Sequence, residues 1–281
     1  MIPKIIHYCW FGRNPLPESA VKCIVSWKKY CPEYIIKQWN EDNFDISSAP
    51  LYVRQAYEAH KWAFVSDYVR FWILYRFGGL YFDVDCELIK PLNDLIENGP
   101  FMGCEFDGVS FSDSDSPAAA DIQVAPGLGL AAIPYMELYK EILKFYETAV
   151  FINGDGTLNL ETVVKYTTDV LMSHGLKNVK GIQQVGEITV YPKEYLCPMD
   201  SLTGNLCITE NTYSIHWFAA SWCSISQKIE MQVHKLGFRF GINSKPVERI
   251  LSFPFRVFEK FSQIGVKKTL IFAKKKLFKQ P

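Results

Sequence analysis

The chain has 281 residues, 48% of them hydrophobic, with 30 basic and 30 acidic side chains. That is ample for one globular core with an appendage, and no apolar run approaches the roughly eighteen residues that span a bilayer. The charge is uneven: from Lys228 onward thirteen basic residues face three acidic ones, leaving +10 on the tail and −10 on the first 227 residues, which suggests a tail that meets an anionic surface.

In chain order, Ile2 to Phe11 reads as a buried strand ending in the turn cluster Gly12-Arg13-Asn14-Pro15. Glu18 to Tyr30 has helical spacing and is stopped by Cys31-Pro32. Tyr34 to Trp39 is a second strand and Leu51 to His60 a second helix. This β-α-β-α opening predicts an α/β fold with a mainly parallel sheet, whose ligands gather beyond the carboxyl ends of the strands.

From Ala63 the chain reads as a helix apolar nearly all round, hence buried. It nevertheless carries Asp67 and Arg70 at i and i+3, with Ser66 beside them. A buried ion pair stabilises little by itself, so the pair is either well hydrogen-bonded or faces a polar ligand. Gly78-Gly79 predicts a left-handed stop. Leu80 to Leu88 then alternates, which predicts one strand with Tyr81, Asp83, Asp85 and Glu87 on one face. Adjacent carboxylates at a strand end invite a divalent cation. A second Asp-x-Asp, Asp113 and Asp115, lies in the Ser-rich string SFSDSDSP and reads as a solvated loop.

Phe101 to Phe106 and Ile122 to Ala125 read as strands, and Tyr135 to Phe145 and Leu160 to Ser173 as helices. Gly127 to Ala132 fits G-x-G-x-x-A, which taken alone raises a nicotinamide or flavin enzyme. Pro126 and Pro134 interrupt the helix that should receive a pyrophosphate, so a turn is expected there. Ile188 to Tyr191 is a short strand, and His216 follows a strand-like run in YSIHWFAASW. A lone histidine is more often a satisfied core residue than a ligand. From Phe255, aromatic and aliphatic residues interleave with lysines, the pattern of an interfacial helix set, while the part of the tail before it reads equally as a basic helical cap packed on the main domain. Nucleic acid is a weaker partner for it, because no recognised nucleic-acid module is present.

The spacing Ser66-Asp67-x-x-Arg70, then Leu74-Tyr75-x-x-Gly78-Gly79-x-Tyr81-x-Asp83-x-Asp85, resembles glycosyltransferase family 32 and the related glucosyltransferase domain of large clostridial toxins. The opening I-P-K-I-I-H-x-x-W resembles the same family. The resemblance implies a GT-A-type, Rossmann-like nucleotide-sugar-binding domain over residues 1–225, leaving 226–281 as a basic helical tail. It implies a retaining transfer of a hexose from a nucleotide-diphosphate sugar, a UDP-sugar first and GDP-mannose second, to a glycan or lipid-linked saccharide acceptor in polysaccharide biosynthesis. It places His7 and Trp10 in the nucleotide-sugar site at the end of the first strand, Trp10 near the base, with His7 open also to a reading as a satisfied polar residue of that strand. Ser66, Asp67, Arg70 and Tyr81 fall to donor-sugar binding. Asp85 and His216 become metal ligands, with Asp83 helping through the ribose or a metal-bound water, and Ser221 and Trp222 diphosphate contacts. Among them Asp67, Arg70 and Asp85 are the candidate catalytic residues.

Hard oxygen ligands with one imidazole suit Mn2+, with Mg2+ as the alternative. A metal-dependent phosphotransferase would need D-x-D-x-T/V, which Asp83-Val84-Asp85-Cys86-Glu87 lacks; a non-catalytic sugar-nucleotide or glycan-binding module is the other rival. The eight cysteines show no C-x-x-C pair and no spacing typical of zinc. With no signal peptide recognisable at the N-terminus, they predict free thiols in a reducing compartment, that is, a cytoplasmic enzyme peripheral to the inner membrane face.

Overall fold

The structure is a computed structural model that describes residues 1–108, 121–201, 203–219, 225–239, 245, 247 and 250–257. Asp113, Asp115, Ser221, Trp222 and the basic tail from residue 258 lie outside the described residues. The chain divides into two compact units, Met1–Met199 with Leu206–Phe218, and Asp200–Asn205 with Ala219–Pro281.

In the first unit the elements run β1 (Ile5–Cys9), α1 (Glu18–Tyr30), β2 (Ile35–Trp39), α2 (Leu51–Glu58), α3 (Trp62–Phe77), β3 (Gly79–Tyr81), β4 (Cys86–Leu88), α4 (Asn93–Glu97), β5 (Phe101–Phe106), β6 (Gln123–Val124), β7 (Leu130–Ala132), α5 (Glu137–Thr148), α6 (Val163–Ser173), β8 (Gln183–Val185), β9 (Ile188–Tyr191), α7 (Lys193–Leu196) and β10 (Ser214–His216). The main sheet has the order β2-β1-β3-β7-β5-β9-β8, with β6 on β5. The α/β class is as expected, but the sheet is mixed, not mainly parallel. β1 runs parallel to β2 and β3, and β5 to β9, whereas β7 lies antiparallel between β3 and β5, and β8 antiparallel to β9. Two returns cause this: β8 and β9 are joined by a short connection that reverses direction, and the chain comes back along β5, so that β6 and β7 both run antiparallel to it.

Alternation sends Ile6, Tyr8, Leu80 and Phe82 to one core beside α1, and Cys9, Tyr81, Met102 and Cys104 to another beneath α2, α3, α5 and α6. The helix α3 is buried as its composition predicts and ends where Gly78 and Gly79 take φ of +63° and +97°. A Cβ on Gly78 would stand 2.8 Å from the Ala132 carbonyl oxygen, so that position needs glycine for space as well as for conformation.

The predicted strand from Leu80 to Leu88 does not form as one piece. β3 stops at Tyr81, Asp83 to Cys86 forms a turn closed by the Cys86 amide on the Asp83 carbonyl (3.0 Å), and β4 leaves the main sheet to pair antiparallel with β10. The Asp83 amide is taken by the Gly127 carbonyl at 3.0 Å, an acceptor 44 residues distant that local alternation does not disclose.

Side chains of α1 support the turn: Trp27 Nε1 donates to the Cys86 carbonyl at 2.7 Å, and Ser26 Oγ accepts from the Leu88 amide at 2.9 Å. Trp27→Phe keeps most of the buried ring but strands a buried carbonyl. A loss of about 1–3 kcal/mol is expected, read as a lower urea midpoint at unchanged slope.

The second unit contains α8 (Ile225–Arg239), and within it Glu230 accepts from Arg256 Nε at 2.7 Å. Met231, Leu236, Ile250 and Phe255 are exposed apolar residues of this unit. No helix among the described residues is long and apolar enough to cross a membrane.

Candidate functional site

The parallel pairing of β1 with β3 brings their carboxyl ends together, so Trp10 and the Asp83–Asp85 turn emerge at one edge of the sheet. Trp10 is half-buried; its amide donates to the Trp39 carbonyl at 2.9 Å and its indole to the Asn14 carbonyl at 2.6 Å. His7 departs from its expected role. It is buried, its Nδ1 accepts from Trp39 Nε1 at 3.0 Å, and its Nε2 donates to the Gly78 carbonyl at 3.1 Å. Burial, aided by Lys37 against the Gly78 hydrogen bond, lowers its pKa to about 4, so the ring is neutral. Both nitrogens are used by the protein, and His7 ties β1 to the end of α3 instead of offering a group to a ligand.

Arg70 is the hub of the site. Its guanidinium, 4% exposed, receives support from the Ser66 carbonyl (Nε, 3.2 Å) and pairs through Nη2 with Asp67 Oδ1 (2.9 Å) and Asp83 Oδ1 (3.3 Å). Tyr81, also fully buried, donates its hydroxyl to Asp83 Oδ1 at 2.9 Å, and its ring lies 5.0 Å from the guanidinium carbon of Arg70. Ser66 spends its hydroxyl on the Trp62 carbonyl at 3.1 Å. Burial raises Asp67 to about 7 against the pull of Arg70, and burial likewise raises Asp83. The i, i+3 pair anticipated on the helix is thus a three-membered network that reaches the turn.

Asp85 points elsewhere. Its Oδ1 lies 3.1 Å from His216 Nε2, with both side chains 15% exposed. The Trp217 amide donates to the Asp85 carbonyl (3.0 Å) and the Trp217 indole to Glu87 Oε2 (2.9 Å), fixing β10 against the turn. Burial disfavours a charged His216, but the Asp85 carboxylate and its hydrogen bond, with the Cys197 thiol nearby, outweigh it and hold the ring well above the ordinary histidine value. Nδ1 of His216 is buried beside that thiol without a well-formed hydrogen bond.

Among the described residues, ligand atoms of Asp85, Cys86 and His216 lie within 4.8 Å of one another. A carboxylate oxygen and an imidazole nitrogen about 3 Å apart have the separation of neighbouring ligands around an octahedral cation with bonds of about 2.1 Å, so these residues fit a divalent ion. Asp83 stands outside this cluster, turned to Arg70. Cys86 was not anticipated; it is the cross-strand partner of His216, but its thiol is buried, raised well above the ordinary value by that burial, and bonded to the Gly127 carbonyl at 3.1 Å. Spacing along the chain does not disclose this proximity, which the β4–β10 pairing supplies.

The glycines of the G-x-G string have a different use from a dinucleotide loop. The segment turns from β6 straight into β7, with no helix until Glu137. A Cβ on Gly127 would collide with Asp83 Oδ2 and stand 3.4 Å from Arg70 Nη1; one on Gly129 would stand 2.6 Å from the Phe82 ring. Gly127→Ala is therefore expected to push Asp83 off the Arg70 guanidinium and to lower stability by about 1–3 kcal/mol, the usual cost of overpacking, read as a lower urea midpoint.

Residues 17–102 match the family described as "Glycosyltransferase sugar-binding region containing DXD motif". Two fission yeast proteins (Schizosaccharomyces pombe, strain 972) are similar to parts of the chain. Inositol phosphoceramide mannosyltransferase 3 is 32% identical over 99 residues, 34% of this chain and 27% of that protein. Inositol phosphoceramide mannosyltransferase 1 is 26% identical over 124 residues, 40% and 37% respectively. The chain thus spans about a quarter to a third of the length of these curated relatives. Among solved structures, PaToxG glycosyltransferase aligns at a TM-score of 0.43 and 18% identity, covering 61% of this chain and 69% of that one. A glycosyltransferase involved in glycosylation of the major capsid of PBCV-1 aligns at 0.41 and 11%, covering 78% and 95%. The matched stretch, residues 17–102, is the one that holds Asp67, Arg70, Asp83 and Asp85.

Proposed function

We propose that the chain is a metal-dependent retaining hexosyltransferase of GT-A type, taking its sugar from a nucleotide-diphosphate donor and passing it to a glycan or lipid-linked saccharide in polysaccharide biosynthesis. The observation that carries this reading is the division of labour in the turn: Asp83 joins Arg70 and Asp67, while Asp85 joins His216. On the first side, Arg70 holds two carboxylates in fixed orientation, and their remaining oxygens are acceptors for the hydroxyls of a sugar ring, pre-set before the donor arrives.

On the second side, Asp85 and His216 would hold Mn2+, with Mg2+ as the alternative. When bound, the ion neutralises charge that builds on the leaving diphosphate. Trp10, at the same sheet edge, offers a flat surface to the base. Ser221 and Trp222 keep the diphosphate contacts implied by the family spacing. No carboxylate of the site is assigned as a covalent nucleophile, so front-face displacement with retention is the mechanism proposed.

Both UDP-hexoses and GDP-mannose stay in the donor set; the names of the two yeast relatives support mannose as the sugar and leave the nucleotide open. The basic residues 226–281 would dock on an anionic membrane surface, keeping a cytoplasmic enzyme at the inner face beside its acceptor; the exposed apolar residues of the second unit support this. The test is a panel of UDP- and GDP-hexoses with Mn2+, reading release of nucleoside diphosphate. Release from one donor that stops on chelation is expected; silence across the panel with folded protein would reject the reading.

A further inference from the structure

A cavity of about 430 Å³ lies between α4, the β8–β9 hairpin and α7, and contains none of the residues discussed above. Its floor is aromatic. Tyr195 lies between Tyr191, at 4.8 Å between ring centroids, and Tyr213, at 6.1 Å and nearly parallel. The outer two hydroxyls are pinned: Tyr213 donates to Asp94 Oδ2 at 3.1 Å, and Tyr191 accepts from Asn98 Nδ2 at 3.4 Å. The floor is therefore rigid before any ligand arrives, with Tyr195 half-buried at its centre.

The rim carries Asp94, Asn98 and Gln184, all exposed; the Asn98 and Gln184 amides donate to the Asp94 and Gly186 carbonyls at 2.8 and 3.0 Å, which orients their side-chain oxygens as acceptors. None of the lining residues is basic and Asp94 is the one acidic residue among them; the nearby Lys90 ammonium is taken up by the Tyr213 ring, 3.8 Å from its centroid. A few convergent polar groups above an aromatic floor suit a neutral ring with hydroxyls at its edge and C–H bonds on its face.

From this we infer that the cavity is a second saccharide-binding site, distinct from the transfer site. Tyr213 directly precedes β10, and His216 ends it, about 10 Å further along the strand at about 3.3 Å per residue. Their odd spacing sends the two side chains to opposite faces of the β4–β10 ribbon. A sugar bound here is therefore remote from the one transferred and retains a glycan acceptor between turnovers. That role rests on the transferase reading; the binding itself does not.

The test uses the full chain, with methyl α-mannoside, methyl α-glucoside, methyl β-galactoside, maltose and lactose as probes in saturation-transfer NMR, with and without saturating nucleotide and Mn2+. At least one sugar is expected to bind in both conditions, and in Asp85→Asn as well. Its dissociation constant should rise about fivefold in Asn98→Ala, the worth of one hydrogen bond, and more in Tyr195→Ala. Asn98 is exposed, so its variant keeps the test sound if Tyr195→Ala unfolds. Nucleotide binding, measured in parallel, should be unchanged in Asn98→Ala. The inference is overturned if no probe binds, if nucleotide displaces the sugar, or if Asn98→Ala leaves its affinity unaltered. Loss of nucleotide binding with sugar binding intact would reject the transferase reading alone.

Discussion

Arg70→Met is expected to lower the stability of the first unit by about 3–5 kcal/mol, because it leaves one largely buried and one partly buried carboxylate without their shared partner. Asp67 and Asp83 both pair with the Arg70 guanidinium, and their side chains are 13% and 31% exposed. In a chain of this size that corresponds to a fall in melting temperature of about 10 °C. The carboxylates escape part of this cost by binding protons. Burial already holds Asp67 at about 7 with Arg70 present, and removing the cation raises it further. An acid whose folded pKa lies above its unfolded one costs stability as pH rises towards that folded pKa. The deficit relative to the parent protein should therefore be smaller at pH 6 than at pH 9. Arg70→Lys, which restores charge but not the fork, should lie between. A loss under about 1 kcal/mol at both pH values, the worth of an exposed pair, would mean that the network is solvated and structurally idle.

Asp85→Asn should reduce donor turnover by about 10²–10³-fold, the usual cost of removing one group that stabilises transition-state charge. Stability should change little, because the Trp217 amide on the Asp85 carbonyl and the Cys86 amide on the Asp83 carbonyl hold the turn through backbone, not through the carboxylate. A comparison with Asp83→Asn separates the two acids. Asp83→Asn disturbs the Arg70–Tyr81 side and should raise KM for the donor sugar while sparing metal-dependent binding of the free nucleotide. Equal loss of nucleotide binding in both variants would contradict the division proposed for the turn.

How much of this was legible in the chain depends on how far apart the deciding partners lie. The helix α3, its Asp67–Arg70 pair and its glycine stop were readable because every cue falls within about twenty residues. The edges of α1, β5 and β9 followed from periodicity and breakers for the same reason. The broken strand after Tyr81 was not readable, because alternation continues through Leu88 while the Gly127 carbonyl captures the Asp83 amide. His7 looked like a ligand because its two partners, Trp39 and Gly78, lie 32 and 71 residues further on. Gly127 was visible as part of a glycine motif, but its purpose, close approach to Asp83, depends on the antiparallel β3–β7 pairing. The same pairing also explains why a parallel sheet was expected and a mixed one found.

The central claim is that Asp85 and His216 make nucleotide binding depend on a divalent cation. The most direct measurement is calorimetric titration of UDP and GDP into the protein, with and without Mn2+, beside Asp85→Asn and His216→Ala. The account predicts that one nucleotide binds with Mn2+, that binding fades without it, and that it is lost in both variants. Folded protein that binds neither nucleotide with Mn2+ present, or binds one equally well without it, would contradict the claim.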